Sequence, residues 1–122
     1  MVKQVIAVRT DLDMPIGRIP AQVAHASIAV FLNMGEWEGN TFTIKDISNP
    51  VKHWMKESFT KVVVKVHSKE ELEKLARKAR DRGLLNVLIS DNIGKTFHTM
   101  ALAIGPATSE EIDPITKHLK LF

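Results

Sequence analysis

Arg18, Gln22 and His25 are spaced four and three residues apart, which puts them on one face of a helix that begins near Gly17. A guanidinium, an amide and an imidazole at such a helix end would converge with its free N–H groups and the positive end of its dipole. That setting suits an anion. Far along the chain Asp91 closes the run Asn86-Val87-Leu88-Ile89-Ser90, at the end of a predicted strand, where open α/β sheets present functional groups. Each residue also has a plainer reading. His25, between two alanines, suits a core or helix–helix histidine; Gln22 suits a surface, and Asp91 an Asx-turn or ion pair. Arg18, beside a glycine at a strand-to-helix turn, favours function.

Other residue patterns narrow the chemistry. Asp11 and Asp13 lack a third ligand nearby and are explained by turn formation. His53, His67, His98 and His118 have no metal-ligand spacing, and neither a His-Glu-x-x-His pair nor a phosphate-cradling glycine loop occurs, so no metal is expected. Ser27 lacks a nucleophile-elbow context, and a chain without cysteine has no thiolate nucleophile or Cys-rich zinc site. Trp37 is expected to be exposed, and Trp54 to pack under the sheet.

The elements that must position these residues follow from periodicity. Val2 to Val8 reads as a buried strand, broken by Asp11-Leu12-Asp13-Met14-Pro15-Ile16-Gly17. Pro20 suits a first helical turn, and Ala21 to Met34 continues as an almost wholly apolar helix that should pack on a sheet. Residues 35–49 form an excursion, partly helical, before a short helix over Pro50 to Lys56. Lys61 to His67 is the second strand. Ser68 with Glu71 makes a capping box for a helix carrying Leu72, Leu75 and Ala79 and stopping at Gly83. Asn86 to Ser90 is a third strand, Asn92 to Thr96 a loop, and Thr99 to Ile104 a fourth strand closed by Gly105-Pro106. A final helix opens at Ser109. Alternation of strands and helices predicts an α/β fold with the last two strands antiparallel.

With 122 residues the chain fits one domain, residues 1–122, around a single core. No apolar run approaches the ~18 residues of a membrane span, and no signal peptide opens the chain, so the cytoplasm is the expected address and no membrane partner is expected. A formal charge of +3, from 17 basic and 14 acidic residues, is compatible with a polyanion such as RNA and equally with a solvated mixed-charge surface.

The run Val8-Arg9-Thr10-Asp11-Leu12, Met14, Gly17-Arg18, Ala21-Gln22 and His25-Ala26 resembles the signature of the type II peptidyl-tRNA hydrolases. Trp54 before Lys61-Val62-Val63-Val64-Lys65-Val66, then Asp91, Leu102-Ala103-Ile104-Gly105-Pro106 and Leu119-Lys120-Leu121, recur in the family's order, leaving only residues 35–50 outside the likeness. The resemblance implies a three-layer α/β/α sandwich with a mixed four-stranded sheet, a homodimer, and hydrolysis of the ester joining a peptide to the 3′ ribose of tRNA, with tRNA as substrate and partner and without metal or cofactor. The family's functional lysine falls on Arg18, its glutamine on Gln22, its histidine on His25 and its aspartate on Asp91.

Two departures qualify that likeness. Arg18 keeps the positive charge and the bidentate geometry of a guanidinium but cannot serve as a base. After Asp91 the chain reads Asn92-Ile93-Gly94-Lys95-Thr96-Phe97-His98-Thr99, a loop a few residues shorter than the family's, so that its catalytic threonine is left to Thr96 or Thr99. The expected site is therefore Arg18, Gln22, Asp91 and Thr96 for catalysis, with His25, Lys95 and Thr99 for substrate. The alternative is a non-hydrolytic or differently catalytic relative of the same fold that binds RNA or a protein partner.

Overall fold

The computed structural model describes residues 1–122. Strand β1 (Val2–Arg9) alternates its side chains between two cores, and this alternation fixes the layers. Val5 and Ala7 face one side, where they meet Leu72, Leu75, Ala76 and Ala79 of helix α3 (Lys69–Asp81) and Ile112 and Ile115 of helix α4 (Ser109–Thr116). Ile6 and Val8 face the other, against Ala26, Ala29 and Val30 of helix α1 (Arg18–Met34). The sheet runs β4 (Thr60–Val66), β1, β6 (Thr96–Thr108), β5 (Asn86–Ile93). β4 is parallel to β1, and β6 is antiparallel to both β1 and β5. The chain is thus a mixed four-stranded sheet between α1 on one face and α3 with α4 on the other, an α/β/α sandwich as expected.

Caps act where the sequence places them. The Ser68 hydroxyl accepts from the Glu71 N–H at 3.1 Å, and Glu71 reaches back to the His67 N–H at 3.0 Å. A second capping box, Thr108 with Glu111, opens α4. The carboxyl-terminal residues run along the free edge of β4, where the Phe122 N–H donates to the Val63 carbonyl and the Lys65 N–H to that of Lys120. That cover satisfies backbone groups that an edge strand otherwise leaves open.

Three expectations need correction. The excursion over residues 35–49 holds no helix before Asn49: strands β2 (Glu36–Glu38) and β3 (Thr41–Thr43) form a small hairpin there. Gly39, at φ +59°, allows its turn, and Trp37 packs on Phe42 across the pair at 5.0 Å. The short helix ahead of β4 divides into α2 (Asn49–His53) and one π turn over Trp54–Ser58. It buries Trp54, whose indole N–H donates to the Thr60 carbonyl at 2.7 Å and whose ring stacks on Phe31 at 5.5 Å.

The third correction bears on function. Asn92 to Thr96 is not a loop, because β5 continues to Ile93 and β6 starts at Thr96, joined by the two-residue turn Gly94-Lys95. Gly94 holds φ +60°, as a glycine-first hairpin turn requires. At its other end β6 continues through Gly105-Pro106 to Thr108. Gly105 is needed there: its φ is +91°, and a Cβ would lie 2.8 Å from the Ala107 nitrogen and 2.9 Å from the Lys3 carbonyl oxygen.

Candidate active site

Because β5 runs parallel to β1, the carboxyl ends of β1, β4 and β5 lie at one edge of the sheet, and α1 starts its passage over the sheet from that edge. This brings the two candidate regions together. Arg18 donates from one terminal nitrogen to Asp91 Oδ2 at 3.1 Å and to the Asn92 carbonyl at 2.8 Å. Gln22, one turn further along α1 and buried, donates its amide to the same Oδ2 at 2.9 Å. Its other amide atom, Oε1, is buried and has no partner in the chain. The Asn92 backbone N–H donates to Asp91 Oδ1 at 2.8 Å. The Gln22 amide first, then the Asn92 N–H, and also the Arg18 charge, hold the Asp91 carboxyl below its ordinary value. The arrangement is an ionised carboxylate open to solvent on one side and braced by two α1 side chains on the other.

Three parts of the expected site are changed by this geometry. The free N–H groups anticipated at the start of α1 are not free: Arg18 donates to the Pro15 carbonyl at 2.9 Å, Ile19 to that of Ile16 at 3.2 Å, and Pro20 has none. Positive charge at this end comes from the Arg18 side chain and the helix dipole, with two guanidinium contacts made and further N–H donors left. His25 is exposed, so the core reading fails; it continues the Arg18–Gln22 stripe toward solvent. Asp91 is not at a strand end but within β5, three positions before Gly94.

The hairpin also separates the two threonines. Ser90 pairs with Thr99, and the Ser90 hydroxyl donates to Thr99 Oγ1 at 3.4 Å, so Thr99 lies on the face of the sheet opposite Asp91 and is not part of the cluster. Thr96 pairs with Ile93 on the α1 side, but at the exposed tip of the hairpin. Lys95 is exposed in the turn beside it. The residue directly across from Asp91 is His98. Sequence reading passed over it, although Gly94-Lys95 taken as a two-residue turn would have paired the two by counting outward. No three His, Cys, Asp or Glu side chains are grouped to hold a metal ion.

The family model described as Peptidyl-tRNA hydrolase PTH2 matches residues 2–122. The chain belongs to this family. It is 44% identical over 124 residues to a peptidyl-tRNA hydrolase of Halobacterium salinarum, covering 98% of the chain and 99% of that protein. It is 42% identical over 125 residues to one of Methanopyrus kandleri, covering 99% and 98%. A probable peptidyl-tRNA hydrolase 2 of Dictyostelium discoideum is 37% identical over 98% of the chain, which spans 54% of that protein's length.

Proposed function

We propose that the chain hydrolyses peptidyl-tRNA, breaking the ester between the carboxyl end of the peptide and the 3′ oxygen of the terminal ribose. Water attacks the carbonyl carbon, and collapse of the tetrahedral species releases tRNA with a free 3′-hydroxyl and a peptide carboxylate. The observation that carries this reading is the meeting of Arg18 and Gln22 on Asp91 Oδ2, at 3.1 and 2.9 Å, across 73 and 69 residues of sequence. Asp91 accepts a hydrogen bond from the attacking water through Oδ1, which has one protein donor and a lone pair to spare. Arg18 stabilises the oxyanion or holds the terminal phosphate with its remaining N–H groups. Gln22 holds the carboxylate through its amide N–H. Lys95, Thr96 and His25 flank the cluster as substrate contacts, Lys95 meeting the tRNA backbone.

In the same reading the chain acts as one domain in the cytoplasm; no helix is long and apolar enough to cross a membrane. It pairs as a homodimer through an apolar groove of about 590 Å³ between α1 and β4, lined by Ile19, Val23, Ile28, Val63 and Phe122. Light scattering on the purified chain tests the dimer. Activity is tested by incubating the purified chain with N-blocked aminoacyl-tRNA. The wild type is expected to release the amino acid, and Asp91→Ala to lose turnover by about 10²–10⁴-fold. A wild type without turnover, or an unaffected Asp91→Ala, overturns the reading.

A further inference from the structure

An ester hydrolase needs somewhere to put the proton of its attacking water, and at this site the carboxylate is poorly suited to take it. Asp91 is braced by Gln22, Asn92 and Arg18 and holds its proton weakly, so it orients better than it abstracts. The hairpin supplies a different group. His98 stands directly opposite Asp91 in the β5–β6 register. Antiparallel partners share a face of the sheet, with Cβ atoms about 4.5–5.5 Å apart. The bonds from Arg18 and Gln22 fix Asp91 toward α1, and His98, half-buried, is directed the same way.

A local irregularity creates this juxtaposition. Ile89 pairs with Ala101 but Ser90 pairs with Thr99, so Met100 is an extra residue on β6. Met100 and Ala101 both pack into the α1-side core, as the two residues of a bulge do. In a regular ladder Thr99 would face Asp91. The bulge instead turns Thr99 to the far side and brings an imidazole opposite the carboxylate. On that far side the Arg9 guanidinium donates to the Thr99 carbonyl at 3.0 Å, pinning the bulge.

We propose that His98 is the general base of the reaction: a water hydrogen-bonded to Asp91 Oδ1 gives its proton to the His98 imidazole as its oxygen bonds to the ester carbonyl carbon. The carbonyl pair moves to oxygen beside Arg18. When it returns, the bond to the 3′ oxygen breaks, and the imidazolium delivers its proton to that oxygen as it leaves. Water is added across the ester and no other reactant is consumed. This role rests on the hydrolytic reading above. The charged and titratable groups on the elements packed around His98 are Asp91 on β5, Arg18 and His25 on α1, and Lys95 in the turn.

The experiment is the pH profile of kcat/KM on N-blocked aminoacyl-tRNA for wild type, His98→Gln, His98→Ala and Asp91→Asn, with circular dichroism of each variant. The wild type is expected to gain activity through one ionisation as pH rises, because a base must lose its proton before it can accept one from water. Both His98 variants are expected to fold, to lose about 10²–10⁴-fold at pH 7.5, and to lose that ionisation, while Asp91→Asn keeps it at reduced rate. A wild type with turnover but no such ionisation, or a folded His98→Gln that retains it, overturns the role of His98 and leaves hydrolysis standing. A wild type with no turnover at any pH overturns both.

Discussion

Two arginine–aspartate pairs stand at the same edge of the sheet, and they are built for different ends. Arg9 grips Asp11 with two nitrogens, at 3.0 and 2.6 Å, and donates with the third to the Thr99 carbonyl. Arg18 touches Asp91 with one nitrogen at 3.1 Å. The Arg9 side chain is 10% exposed and that of Arg18 35%, so the first guanidinium is enclosed and fully engaged while the second keeps donors open to solvent. The first pair joins residues two apart in sequence and fixes the end of β1 to the bulge of β6. The second joins α1 to β5 and leaves both partners able to meet a substrate. A closed ion pair is structural; an open one, braced by a buried amide, can do chemistry.

The largest effect that separates the pairs is expected from Arg18→Ala. It should lower kcat/KM on N-blocked aminoacyl-tRNA by about 10²-fold or more while leaving the melting temperature within a degree or two. Arg18→Lys should recover part of the loss, since charge returns without the planar fork. If Arg18→Ala instead melts early with full specific activity, the two pairs have the same role.

Arg9→Ala is expected to do the reverse, costing about 2 kcal/mol in urea unfolding because it leaves the Thr99 carbonyl and the Asp11 carboxylate without their donor. Activity at low temperature should fall less than in Arg18→Ala. An Arg9→Ala protein as stable as wild type would break the assignment.

Acid exposes both carboxylates. The Arg9 hydrogen bonds hold Asp11 below its ordinary value, and the Gln22 amide does so for Asp91. A depressed folded pKa contributes stability that is present above the unfolded value, about 3.9, and is lost as pH falls through the lower folded value. Stability from these two residues should therefore be constant at neutral pH and decline only below about pH 4. Asp11→Asn should flatten that decline, as followed by circular dichroism between pH 5 and 2. A decline that starts near neutrality would point to other groups.

Lys95→Ala is expected to have the smallest effect. It should raise KM a few-fold with kcat unchanged and reduce the salt slope of tRNA binding by about one. An unchanged slope would remove Lys95 from the interface.

The order of elements was legible because its signals are local. Ser68 with Glu71 announces α3, the apolar run of β1 announces a buried strand, and Arg18 and Gln22 share a helical face by spacing alone. The site at the start of α1 was visible for the same reason. The hairpin was not, because Gly94-Lys95 is a weak signal inside a polar run that reads equally well as a loop. The bulge at Met100 has no local signature at all.

By itself the sequence determined which residues could act: an arginine and a glutamine on one helical stripe, and an aspartate closing an apolar run. Tertiary structure decided which of them meet. Parallel pairing of β1 with β4, and the antiparallel β6, bring the carboxyl ends of β1 and β5 to one edge, so that Asp91 lies against α1. Strand side chains alternate with a period of two, so one extra residue in β6 exchanges the faces of Thr99 and His98. Which of the two confronts Asp91 depends on that register, and register is set by the sheet and both of its cores together.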